Sequence, residues 1–145
     1  MAMNIELPSL AEQRRIVFAR NVEKSCQALR DNLQAPHIDA VTDIDINAYG
    51  ERHLRTESEG WEAPAPDVVY ALFEQFKTAF PAYNSDRKLA ELLGLQTSGD
   101  RRIRTFKNGE RPVPYGVWRR FLVLTGRVNQ EIVPVLGFFN DVMKA

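Results

Sequence analysis

Between Lys88 and Thr125 the chain reads KLAELLGLQTSGDRRIRTFKNGERPVPYGVWRRFLVLT, and this stretch restricts the fold more than any other. Ala90 and Gly94 stand four residues apart at the end of a short apolar segment. A basic segment then opens at Ser98, carries Arg101, Arg102 and Arg104, and stops at Asn108-Gly109. A small residue where two helices touch, a glycine that breaks the first and arginines on the second form the outline of a helix-turn-helix. The arginine-bearing helix is expected to face outward, with DNA as its expected ligand.

The formal net charge of zero taken alone argues against a polyanion, but the charges are unevenly placed. Residues 86–127 hold ten Lys or Arg against four Asp or Glu, whereas the remainder holds nine against fifteen. Local field steers a polyanion to a site, so this asymmetry favours nucleic acid. A chain of 145 residues suits one domain, or a small domain with an appendage. No run of about 18 apolar residues exists, so no membrane span is expected. Glu6, Glu12, Arg14 and Arg15 interrupt the apolar core that a signal peptide needs. The lone Cys26 fits a reducing cytoplasm and reads as a small buried hydrophobe.

The expected fold is all-α. Ser9 followed by Glu12 is a capping box, opening a helix to about Asn32. Ala19, Val22, Cys26, Leu29 and Leu33 recur at alternating spacings of three and four along one side of it. That helix could fold back on the body, pair with its own copy or hold a protein partner. Residues 34–66 read as an irregular, solvated linker closed by Ala63-Pro64-Ala65-Pro66, from which Ile44, Ile46, Tyr49 and Trp61 pack back onto the body. The expected division is therefore 1–66, helix plus linker, and 67–145, the helix-turn-helix domain.

Five short helices are expected in the second part. The first opens at Pro66-Asp67 with Val69, Leu72, Phe73, Phe76 and Phe80 on one stripe, ending before Pro81. The second runs from a cap at Ser85 or Asp86 to Gly94, and the third from about Gly99 to Lys107. The fourth has Pro114 in its first turn and Trp118, Phe121, Leu122 and Thr125 on one face. A last apolar helix, capped by Asn129 and kinked or restarted at Pro134, carries Val135, Leu136, Phe138, Phe139, Val142 and Met143. Its apolar stripe reads as a homodimer interface.

At 100° per residue, Ile103 and Phe106 point the same way on the third helix and are its buried anchors. The opposite face presents Arg101, Arg104, Thr105 and Asn108, which suits base readout. Arginine offers two donors to guanine, asparagine pairs with adenine, and the threonine methyl touches thymine. Thr97 and Ser98 at the helix start, with Lys88, Arg102, Lys107, Arg111 and Arg120 around it, suit phosphate oxygens. Arg102 also lies within reach of Glu91 or Asp100.

From about Asp67 to Phe139 the chain resembles the lambda-repressor-like, Cro/repressor-type five-helix DNA-binding domain. The resemblance rests on LAELLGL at 89–95, IRTFKNGER at 103–111, the proline pair that follows, and WRRFLVLTG at 118–126. It implies that the helix holding Arg101 and Arg104 enters the major groove and that homodimers read two half-sites about one turn apart. It also implies base contact at Arg101, Arg104, Thr105 and Asn108. The segment from Gly94 to Ile103 is longer than the family's usual turn. Asp86 stands where that family often has a phosphate-binding glutamine, and is expected to cap its helix. Residues 1–66 have no counterpart in the family.

Catalysis has little support, because two histidines and one cysteine come without a phosphate loop or a nucleophile elbow. His37 with Asp39 and His53 with Glu51 lack a nucleophile, and no HxxxH or CxxC spacing suggests a metal. Neither a cofactor nor a metal is expected. The sequence thus points to a cytoplasmic, homodimeric transcriptional regulator, expected to repress, of bacterial, plasmid or phage origin, binding an inverted repeat in duplex DNA. The rival reading is a protein-interaction module or antitoxin- or phage-type adaptor on the same scaffold.

Overall fold

The computed structural model describes residues 5–144. Among these, five α-helices and several short 3-10 turns occur, and no strand. Two compact units divide between Asp39 and Ala40.

The first unit is built on α1 (Leu10–Asp31). Both bonds of the expected capping box form: the Glu12 amide donates to Ser9 Oγ at 3.2 Å, and the Ser9 amide to the Glu12 carboxylate at 3.3 Å. No residue of α1 is buried. Cys26, expected inside, is half-buried.

In the second unit α2 (Pro66–Ala79), α3 (Asp86–Leu92), α4 (Gly99–Asn108) and α5 (Tyr115–Leu124) surround a single apolar core. The stripe of α2 puts Val69, Leu72, Phe73 and Phe76 inside, against Leu89, Ile103, Trp118, Phe121 and Leu122. Burying each of the larger side chains contributes about 1.5–3 kcal/mol. Phe73 meets Phe121 edge-on at 4.9 Å between centroids, and Trp118 stacks on Phe121 at 5.2 Å. Phe80 takes an extended backbone because Pro81 follows, and α2 ends there.

Residues 40–66 hold more structure than the irregular linker expected of them, while Ile46 and Trp61 pack back onto the body as expected. Three 3-10 turns, Ile46–Tyr49, Arg52–Leu54 and Glu57–Glu59, fold this segment, and Ile46, Leu54 and Trp61 pack against the core. His53 is buried, at 6% exposure. Its Nδ1 accepts the Trp118 indole N–H at 3.2 Å, and its carbonyl accepts that of Trp61 at 3.1 Å. The Arg119 guanidinium adds a bond to the Leu54 carbonyl at 3.1 Å. Tyr49 stays exposed but donates its hydroxyl to Asp67 at 3.2 Å, and Ile44 is half-buried.

The apolar helix expected after Asn129 does not form, so four helices rather than five make up this unit among the described residues. Residues 129–144 have no regular secondary structure and none is buried. Pro134 supplies no N–H, Gly137 disfavours helix, and the pieces on either side are too short to nucleate alone. Glu131 and Asn129 tie the start of this tail to α5 through Tyr115 and Arg119. No helix among the described residues is long and apolar enough to cross a membrane.

Candidate nucleic-acid interface

The turn between α3 and α4 is made by a few residues with specific tasks. Ser85 caps α3, its Oγ accepting from the Lys88 amide at 3.2 Å. Gly94, at φ +81°, ends it in a Schellman pair: the Leu95 amide reaches the Ala90 carbonyl at 2.8 Å and the Gly94 amide the Glu91 carbonyl at 3.1 Å. Ser98 then takes φ 52° and ψ 36°, a left-handed conformation found at no other non-glycine among the described residues. Its hydroxyl makes no cap bond. At the far end Gly109 is left-handed, and a Cβ there would stand 2.8 Å from Pro66 Cγ.

The two helices meet at Ala90 and Gly99. On α4, Ile103 and Phe106 are buried as expected, and Gly99 joins them. The opposite face is therefore fixed in space. Arg101 is exposed on it and Arg102 is exposed on the flank of the buried side, and neither side chain has an intramolecular partner among the described residues. Arg104 lies 3.7 Å from Asp100; both are largely exposed, and such a pair contributes well under about 1 kcal/mol. Arg104 is thus loosely held.

Two expected base readers are differently occupied. The Thr105 hydroxyl donates to the Arg102 carbonyl at 2.7 Å, leaving its methyl as the free part of the side chain. Asn108 accepts the Glu110 amide at 2.9 Å and donates to the Glu110 carboxylate at 2.9 Å, so its amide closes the end of α4.

Among the expected phosphate contacts, Thr97, Ser98 and Arg111 are exposed, and Lys88 is exposed with one long bond to Asn84 at 3.4 Å. Arg120 donates Nε to the Leu92 carbonyl at 2.8 Å and keeps its other guanidinium nitrogens outward. Arg87, exposed beside Glu91 at 3.6 Å, adds a cation that the sequence reading did not include.

Lys107 is the exception. Its Nζ bonds Glu74 at 2.9 Å and both oxygens of Asp86 at 3.0 Å, and its side chain is only 12% exposed. Lys77 completes the cluster, 2.8 Å from Asp86 and 2.7 Å from Glu74. Burial pushes the Asp86 carboxyl up, but hydrogen bonds from Lys77 and Lys107 outweigh it and hold the carboxyl below its ordinary range. Glu74 follows the same balance. Lys107 thus joins α4 to α2 and α3 and is not disposed toward a phosphate. The signal was present: Lys107 is four residues from Ile103, hence on the buried side of the helix. Asp86, expected as a cap, serves this cluster instead, and Ser85 is the cap.

No protein-family model, curated protein or solved structure matches this chain. What the surface can bind follows from its own geometry. It is a convex helix flanked by exposed Arg87, Lys88, Arg111 and Arg120, with a small number of acids, chiefly Glu91, Asp100 and Glu110, among them. Guanidinium groups in this setting form paired donors for phosphate or for guanine edges. No group of three or more His, Cys, Asp or Glu placed to share a metal occurs among the described residues.

Proposed function

We propose that this protein binds double-stranded DNA through α4 and acts as a cytoplasmic, non-enzymatic regulator of transcription, a repressor in the simplest case, with the α2–α5 unit working as a lambda-repressor-like domain. One observation carries the reading: Arg101 stands directly opposite Ile103 on α4, exposed and without an intramolecular partner, on a helix whose other side is locked into the core. The packed helix fixes the backbone position and direction of that cation, so only its side chain has to be ordered when a duplex is bound.

In this reading Arg101 and Arg104 meet base edges and the Thr105 methyl faces thymine. Lys88, Thr97, Ser98, Arg102, Arg111 and Arg120 meet phosphates and fix the register. Asn108 and Lys107 are given to the fold. Two copies on an inverted repeat double the contacts that one short helix can make.

Selection from random duplex pools, followed by a salt titration of the winning site, tests the proposal. A two-fold consensus is expected, with log K against log salt falling at a slope of about −5 for six phosphate contacts. A pool that shows no enrichment would overturn the reading. The exposed apolar tail from Ile132 to Met143 favours a second reading, a module that binds another protein. Binding that ignores salt would favour it over DNA.

A further inference from the structure

Along α1 and the 3-10 turn Asn32–Gln34 that follows it, Ala19, Val22, Cys26, Leu29 and Leu33 share one side, and none of them is buried. Val22 and Leu29 are 43% and 40% exposed. The three-and-four spacing is that of a helix seam, with the first of each pair alternating down the rod. Glu23 and Arg30 flank this seam on one side, and Ser25 and Asn32 on the other. Neither Glu23 nor Arg30 has an intramolecular partner among the described residues. The one side-chain bond lower on the helix, Gln27 to Asp31 at 2.8 Å, lies on the outer face.

We infer that α1 pairs antiparallel with α1 of a second copy, in one register. That register sets Val22 against the second copy's Leu33 and Cys26 against its Leu29, and the two-fold axis repeats both layers. On one flank Glu23 then meets the second copy's Arg30, twice by symmetry. On the other flank Ser25 meets Asn32.

The charges select this arrangement. Sliding one heptad in one direction places Glu23 on Glu23; sliding in the other places Arg30 on Arg30 and keeps only the contacts between Leu29 and Leu33. A parallel, in-register pair offers Ala19 as an extra layer. Its flanks, however, set Phe18 against Glu23 and Ser25 against Arg30, so no opposite charges meet. A second copy is therefore the occupant whose chemistry this face already matches. The inference stands whether or not α4 binds DNA, since it uses no residue of that surface.

Sedimentation of the full chain over a concentration series is the test, with Glu23→Arg, Arg30→Glu and the double exchange compared. The parent is expected to dimerise. Each single exchange turns both flanking pairs from attraction to repulsion and should raise the dimer dissociation constant about tenfold, whereas the double exchange should restore it. Helix content by circular dichroism shows that the exposed substitutions leave α1 folded. A parent that stays monomeric at all concentrations overturns the inference, as do single exchanges that leave the dimer intact.

Discussion

Ala90 and Gly99 touch so closely that a Cβ added at Gly99 would stand 2.6 Å from the Cβ of Ala90. The α3–α4 pair is thus held by backbone approach, with no room for one methyl between the two helices. Gly99→Ala is expected to lower stability by about 1–3 kcal/mol through overpacking. Ala90→Gly in the same chain should recover part of that loss. Denaturant unfolding of the two single variants and the double variant measures both, and additive losses would show that the contact is not tight.

Lys107 and Arg101 lie on one helix with opposite tasks, so their substitutions should differ in kind. Lys107→Met leaves Asp86 and Glu74 with Lys77 alone and is expected to cost about 1–3 kcal/mol of stability. Asp86 is held below its ordinary value of 3.8, so its share of stability is present above that pH and is lost as pH falls through the lower, folded value. Acid unfolding should therefore become shallower below about pH 4 in Lys107→Met. An acid limb identical to the parent's would show that the cluster contributes nothing.

Arg101→Ala, by contrast, should leave the unfolding midpoint unchanged. In the proposed complex it should cost about 1–3 kcal/mol of discrimination between the selected duplex and a scrambled one. Asn108→Ala should do the reverse, weakening the end of α4 while preserving base preference. Competition binding with both duplexes, alongside thermal melts, distinguishes the pair. Loss of base preference in Asn108→Ala would return that residue to the reading face.

His53 supplies a pH dependence near neutrality. Burial lowers its pKa from 6.5, with Arg127 adding to the effect, and the neutral ring accepts from Trp118 through Nδ1. Below pH 6.5 the unfolded chain binds a proton that the folded one resists, so stability falls as pH drops toward the folded value. His53→Gln keeps a side-chain acceptor without titrating. Its unfolding midpoint between about pH 7.5 and 5.5 should be flatter than the parent's. Parallel curves would mean that His53 ionises without consequence.

Much of this architecture was legible because its signals are local. Ser9 with Glu12, Pro66, Ser85, Gly94 and Gly109 each mark a helix end by backbone chemistry within a few residues, and the observed bounds follow them. The buried anchors Ile103 and Phe106 followed from spacing alone. What escaped is relational. The bond between His53 and Trp118 spans 65 residues, and no periodicity in 40–66 announces it. Thr105 and Asn108 sit on the outward face as the wheel requires, but the wheel does not show that their polar atoms are taken by Arg102 and Glu110. The tail misled for the opposite reason. Its apolar spacing is helical, yet a helix that short needs a surface to lie on, and Pro134 and Gly137 weaken it further.

The dependence of Trp118 on His53 bears on how the molecule can be dissected. The run Ala63-Pro64-Ala65-Pro66 looks like an inviting hinge for proteolysis, since all four helices of the unit lie beyond it. Severing there would strip an acceptor from the deepest indole in the protein and a carbonyl from Arg119. The shortened piece would keep α4 with all its arginines and lose the floor on which its final helix stands.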